Sequence, residues 1–224
     1  LRGASGTSAT TGALSLSADA AIGAASGAIL NINGGINNPT ATGRALHFNA
    51  EGTGIINVNS NITSATTPTA NQYFAIRKYG TGSLNFTTAN TVIPTDAGTG
   101  LQIFQGTLAV TGAAGTLAGG NTIGIQVLPG ATLLIDNTAA AITNRLGARP
   151  ITLAGGNLNL IGNAAATNET FGAWSLARGH SNVSVTAGAG GANLTFGSFV
   201  TNFPQNGATV RFSGTNLGAA AGAN

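Results

Sequence analysis

Short apolar strands return along this chain at an almost constant interval. From Leu84 onward the triplets Leu84-Asn85-Phe86, Leu108-Ala109-Val110, Leu133-Leu134-Ile135, Leu158-Asn159-Leu160 and Val183-Ser184-Val185 each start one nearly equal step after the last. A second series, Leu101/Ile103, Ile125/Val127, Ile151/Leu153 and Ala173/Leu176, keeps the same step between members of the first. Each repeat therefore carries at least two strands. Apolar and polar residues alternate within most of these segments, the pattern of a strand with one face inward. Helical spacing is absent, and a strand-built repeat of about 20 to 50 residues signals a solenoid, a propeller or an array.

Glycines precede the strands by one to three residues at Gly82, Gly106, Gly130, Gly156, Gly191 and Gly207, where they are expected to turn the chain at corners. The first third follows the same grammar less regularly, with Ala13–Leu16, Ile29–Asn33, Leu46–Asn49 and Ile55–Asn59 starting at shorter and less even steps. Either the rungs are smaller there or loops interrupt a larger rung. No linker divides the chain, so residues 1–224 read as a single unit, 1–73 with less regular coils and 74–224 with regular ones.

Strands of three to five residues, Gly/Asn corners and a repeat of about 25 residues fit an all-β fold, a right-handed parallel β-helix (β-solenoid) with three short sides per coil. A propeller blade needs about 40 residues and leaves signatures such as a WD dipeptide, which this chain lacks. At a strand spacing of about 4.8 Å, about nine coils make a rod about 43 Å long. Asn and Thr recurring at equivalent positions are expected to form side-chain ladders between coils, with Leu, Ile, Val and Phe stacked inside.

Composition changes the picture in one respect. Only 6% of the residues are charged, against about 25% in ordinary soluble domains, so Gly, Thr, Asn and Ser keep the surface wet. The hydrophobic fraction of 42% and mean hydropathy of +0.25 argue for an ordered core over disorder. The net charge of +3 reflects eight basic residues against five acidic ones. Arg77-Lys78 is the one adjacent basic pair, and no stripe suited to nucleic acid appears. Cysteine and methionine are both missing. The first leaves the redox compartment open, and the second implies that Leu1 is not a translation start and that the chain is a segment of a longer polypeptide. No apolar run is long enough for a transmembrane helix, and no signal peptide stands at the front.

Lys78-Tyr-Gly-Thr-Gly-Ser-Leu-Asn-Phe86 followed by Gly106-Thr-Leu-Ala-Val110 resembles the autotransporter-associated β-strand repeat, a K-x-G-x-G-x-L-x-L strand closed by G-T-L-x-V. Leu134–Thr138, Asn144–Gly147, Leu153–Asn163 and Val210–Thr215 resemble units of very large bacterial cell-surface repeat proteins, planctomycete-like ones among them. The likeness spans about residues 74–224. It implies a secreted, right-handed parallel β-helix at the bacterial cell surface or in extracellular fibres, and it brings no catalytic residues.

Chemistry-bearing residues are sparse. The acids are Asp19, Glu51, Asp96, Asp136 and Glu169, and no two of them fall one coil apart as a stacked carboxylate pair requires. Of these, Asp136 and Glu169 are the most plausible for a glycan-cleaving site. His47 reads as an outward residue between Leu46 and Phe48, and His180 as a corner residue; without Cys they make neither a zinc site nor a nucleophile–base pair. The glycine-rich Gly188–Thr195 lacks the aspartate of a calcium-binding nonapeptide and the Lys-Ser/Thr of a phosphate loop. No catalytic, cofactor or metal residue is therefore expected, no cofactor, and no enzymatic activity.

Trp174, Tyr73, Tyr79 and the nine Phe read as core filling, with Trp174 the aromatic to test for an interface role. Asn-x-Ser/Thr triplets begin at Asn61, Asn85, Asn168, Asn182 and Asn193; Asn61 and Asn168 are the looser ones, open to sugar attachment. The function expected is a non-catalytic extracellular structural protein whose uncapped ends associate into a filament. The alternative is an adhesin binding host or matrix glycans through loops 34–44, 63–72, 137–149 and 163–170. Neither reading inserts this segment into a membrane or pairs it with nucleic acid.

Overall fold

In the computed structural model, residues 1–39, 44–64, 74–90, 100–117, 124–200 and 207–215 are described. They form an all-β solenoid, every strand pair of which is parallel. The longer face stacks nine strands: Thr7–Thr10, Ile29–Ile32, Ile55–Val58, Ser83–Phe86, Gly106–Val110, Ala131–Asp136, Asn157–Ile161, His180–Thr186 and Thr209–Gly214. A second face stacks eight: Arg2–Gly3, Ala20–Ala24, Arg44–Ala50, Phe74–Tyr79, Leu101–Ile103, Ile125–Val127, Ile151–Leu153 and Trp174–Leu176.

Leu84, Leu108, Leu133, Leu158 and Val183 pair in register, each above the last, as the constant interval requires. Period-2 alternation turns this register into columns. One inward column runs Leu30, Ile56, Leu84, Leu108, Leu133, Leu158, and its neighbour Ile32, Val58, Phe86, Val110, Ile135, Leu160. All twelve side chains are buried. Outward residues form the expected ladders: Asn57 donates to Asn31 at 2.9 Å and Asn85 to Asn57 at 2.8 Å. Gln102 donates to Gln126 and Ser184 to Asn159 in the same way.

The register corrects two sequence expectations. On the second face Ile151 pairs with Trp174, so Trp174 and Leu176, not Ala173 and Leu176, complete that series. In the first third the longer face advances from Ser8 to Leu30, then to Ile56 and Leu84, a full coil at each step. Only the first of these rungs is smaller than the regular ones, and the next two are larger. Ile29 and Ile55 belong to the longer face, Leu46 to the second face and Leu14 to a third side, so the shorter steps compared strands of different faces.

The third side is short and irregular. Leu14–Ser15, Ile36–Asn38 and Ile62–Ser64 pair at one end, and Thr167–Phe171 with Ala192–Phe196 at the other. Segments 34–44, 63–72 and 163–170, expected to be strand-free, therefore contribute to the strands Ile36–Asn38, Ile62–Ser64 and Thr167–Phe171. Between them single contacts carry the stack: the Asn90 Oδ1 accepts from Ile62 N, Asn90 N donates to Thr116 O, Leu117 N to Arg145 O and Asn144 N to Asn168 O.

One glycine with positive φ stands at the start of, or shortly before, each of the nine strands of the longer face: Gly6, Gly27, Gly52, Gly80, Gly106, Gly130, Gly155, Gly179 and Gly207. Left-handed backbone at this corner is a repeated requirement that glycine meets without a Cβ penalty. Gly82 and Gly156, expected to make that turn, lack positive φ. Their reason is close approach, since a Cβ at Gly82 would lie 2.2 Å from the Gly54 carbonyl oxygen.

Candidate functional site

The densest chemistry lies beneath the third side, where sequence reading placed a loop. Arg145 is fully buried. Its Nε donates to Asn137 Oδ1 at 2.7 Å, its Nη1 to Gly115 O, and its Nη2 to Gly112 O at 2.9 Å and Ala140 O at 3.0 Å. One guanidinium thus fastens two coils, which its planar fork of donors suits. Glu169, 1% exposed, faces inward from Thr167–Phe171. Its two carboxylate oxygens accept the backbone N–H groups of Arg145 at 2.8 Å and Leu146 at 3.1 Å.

The segment between the arginine and its neighbours is tightly bent. Asn144 and Ala148 have φ of 54° and 55°, a left-handed backbone that non-glycine residues adopt at a cost of about 1–2 kcal/mol. The Glu169 carboxylate ties down the two N–H groups inside that bend. Burial pushes Glu169 up to about 7, against the lowering effect of those N–H groups and of the Arg145 charge. Burial lowers Arg145, while Asp136 and Glu169 oppose it. Nearby Arg149 is also buried, pushed down to about 10, and its Nε donates to Leu117 O at 2.9 Å.

Asp136 and Glu169, the two acids singled out from sequence, thus answer to one arginine. Asp136 sits on the outer side of the longer face, accepting Thr111 Oγ1 at 3.1 Å and Thr138 N at 2.9 Å. Burial works to raise it, but these hydrogen bonds and Arg145 together hold it below the ordinary carboxylate range. Arg145 itself escaped notice in the sequence. The signal that could have found it was its separation from Glu169, one coil, which a search of acid–acid spacings does not detect.

The other candidates lie apart. Asp19 accepts the Ala45 N–H at 2.8 Å, and Glu51 pairs with the exposed Arg2 at 2.8 Å. Asp96 and Tyr73 lie outside the described residues, as do positions 40–43 and 65–72 of the proposed adhesin loops. His47 is half-buried between the buried Leu46 and Phe48, its ring stacked on Tyr79 at 5.6 Å, which stacks in turn on Phe104 at 4.6 Å. His180 is exposed at the first position of its strand, with Nδ1 2.8 Å from Thr209 Oγ1. Among the described residues no three His, Cys, Asp or Glu side chains cluster where they could hold a metal ion. Among the same residues no helix is long and apolar enough to cross a membrane.

Lys78 breaks the surface rule for lysine. It occupies an inward position in the column of Phe48 and Ile103 and is fully buried. Its Nζ turns to the corner and donates to Tyr79 O and Gly80 O at 2.7 Å and to Gln105 O at 3.2 Å. Burial pushes it down to about 8. Of the glycosylation triplets, Asn85, Asn182 and Asn193 each donate their amide to the coil below, and Asn168 accepts from Asn193 on the strand Thr167–Phe171. Asn61 is exposed.

Aromatic rings gather at the C-terminal end. Trp174 lies 5.0 Å from Phe196, 4.7 Å from Phe199 and 6.3 Å from Phe212, and Phe196 stacks on Phe171 at 5.6 Å. Phe199 and Phe212 are among the few exposed large apolar side chains. No protein-family model matches this chain, and neither a curated protein nor a solved structure matches it.

Proposed function

We propose that this chain is a non-catalytic structural segment of an extracellular bacterial surface protein, a β-solenoid rod that associates end to end. The observation that carries the reading is the register. Inward columns run through coil after coil without interruption, and the buried polar groups are spent on backbone carbonyls and N–H groups that hold coil to coil. Side chains so committed serve shape, since the carbonyls and N–H groups of the wall partner Lys78, Arg145 and Glu169, while Arg77 Nε and Asn137 Nδ2 are buried without a partner.

The resemblance to the autotransporter-associated repeat supports the surface setting. Lys78, Gly80 and Gly82 head that pattern, and each has a mechanical part at the coil corner: a three-carbonyl clasp, a left-handed turn and a close approach. A motif of corner residues is what a long stacked repeat needs. Adhesion draws less support. Its loops are built into the wall where they are described: 34–44 through the strand Ile36–Asn38, 63–64 through the strand Ile62–Ser64, 137–149 through Arg145 and 163–170 through the strand Thr167–Phe171.

The test is protease shaving of intact native cells with detection of this segment. Release or cleavage from intact cells is expected; cleavage only after lysis would contradict the surface reading. A glycan array that binds the chain, with binding abolished by shortening 137–149, would shift the assignment to an adhesin.

A further inference from the structure

We infer that the outer wall of the second face binds a carboxylate-bearing polysaccharide, with the Arg77 guanidinium taking the carboxylate. The register sets His47, Arg77, Gln102 and Gln126 one above the next, one residue per coil. The residues before and after each of them are buried in the core, so the four half-buried side chains belong to the outward side of the strands. Among the described residues no hydrogen bond or ion pair reaches the Arg77 guanidinium, and its Nε is buried without a partner. A buried N–H left unpaired is costly. Arg145, by contrast, finds acceptors for Nε and for both Nη atoms.

No acid among the described residues answers this arginine. Glu51 accepts from Arg2 at 2.8 Å and from Asn49 at 3.4 Å, Asp19 accepts the Ala45 N–H, and Asp136 and Glu169 belong to the longer face and the third side. Lys78 turns inward to its three carbonyls and adds no charge to the outer wall. The groups around Arg77 are neutral and able to hydrogen-bond. Gln102 donates to Gln126 at 2.9 Å, which leaves Gln102 Oε1 and Gln126 Nε2 without partners among the described residues, and Tyr79 is held beside them between His47 and Phe104. A phosphate backbone calls for several cations in a stripe, and this column offers one arginine. A chain that carries a carboxylate among many hydroxyls matches it, because the planar fork pairs with a carboxylate through two parallel hydrogen bonds while the amides meet hydroxyls. Coils repeat at about 4.8 Å, so these groups follow a straight line along which an extended sugar chain can lie.

The site goes beyond the rod reading and is independent of it: cell shaving can fail while the wall binds, and succeed while it does not. Isothermal titration calorimetry of the full chain with oligogalacturonate, and with the same oligosaccharide methyl-esterified at its carboxyls, reads the site directly. Binding of the acidic form that weakens with added salt, and none of the ester, is expected. Arg77→Gln is expected to weaken that binding about tenfold or more, and Arg77→Lys to an intermediate degree, because the charge stays and the fork is lost. Arg178→Gln, which removes an exposed arginine just before the strand His180–Thr186, is expected to leave it unchanged. Circular dichroism checks the fold of each variant, and Arg77→Lys carries the test should Arg77→Gln lose the β spectrum. No binding, equal binding of the ester, full affinity in either folded Arg77 variant, an equal loss in Arg178→Gln, or tighter binding of single-stranded DNA overturns the proposal.

Discussion

Lys78 shows how a residue at a core-facing position keeps its charge useful. Its stem fills the column between Phe48 and Ile103 while Nζ gathers three corner carbonyls. Lys78→Met keeps the volume and removes the donors, and hydrogen bonds to charged groups contribute about 1.5–3 kcal/mol. The urea midpoint is expected to fall by the equivalent of about 2 kcal/mol; an unchanged midpoint would contradict the clasp. Two glycines separate turn from contact. Gly80 and Gly130 both have positive φ, but a Cβ at Gly80 would lie 2.2 Å from Ala50 O and one at Gly130 meets nothing within 4 Å. Gly130→Ala is expected to cost about 1–2 kcal/mol for the left-handed backbone alone, and Gly80→Ala measurably more in the same denaturation assay. Glu169 supplies a pH signature. Its folded value of about 7 lies above the ordinary 4.5, so between those values the folded state binds more protons than the unfolded state. The stabilisation is full below about pH 4.5 and is lost as pH rises toward and through 7. Glu169→Gln is expected to flatten that slope in urea midpoints taken across this window, and an identical slope in the variant would contradict the buried carboxyl. Asp136, shifted downward, acts at lower pH and with the opposite sign.

At the scale of the element, the ladders set a graded expectation. Asn57 both donates to Asn31 and accepts from Asn85, whereas Asn33 only accepts from Asn59. Asn57→Ala is expected to lower thermal stability about twice as much as Asn33→Ala, each hydrogen bond contributing about 1 kcal/mol; equal melting points would contradict a ladder that bears load. The longer face was legible from sequence because its columns repeat one strand per coil, so Leu108, Leu133 and Leu158 betray the step directly. The third side was not. Thr167-Asn-Glu-Thr-Phe171 is polar along most of its length, and its inward positions include Glu169, a carboxylate satisfied by backbone N–H groups in place of an apolar neighbour. Alternation of hydrophobicity cannot report a strand whose interior partner is a turn. The first third failed to read for a related reason: Leu46 and Ile55 belong to successive strands on different faces of one coil, and the interval between them measures a side of that coil, not its circumference. Candidate chemistry suffered from the same one-dimensional view, since Asp136 and Glu169 meet only through Arg145.

The whole molecule is a stack whose stability is a sum of coil-to-coil interfaces, each contacting its neighbours only. That architecture explains why so little charge suffices. The walls are held by backbone pairing and apolar columns. The central claim is therefore the register between coils, and the absence of native cysteine makes a direct test clean. Thr107 and Thr132 are register partners on the outer side of adjacent coils, whereas Ser83 and Thr132 are separated by a whole coil. Adjacent parallel strands lie about 4.8 Å apart, and a disulfide needs its Cα atoms within about 4.4–6.8 Å. The chain carrying Thr107→Cys and Thr132→Cys is expected to oxidise to completion within each folded chain, and the chain carrying Ser83→Cys and Thr132→Cys to remain reduced intramolecularly. Bond formation in the second pair, or its failure in the first, would contradict the stacked winding.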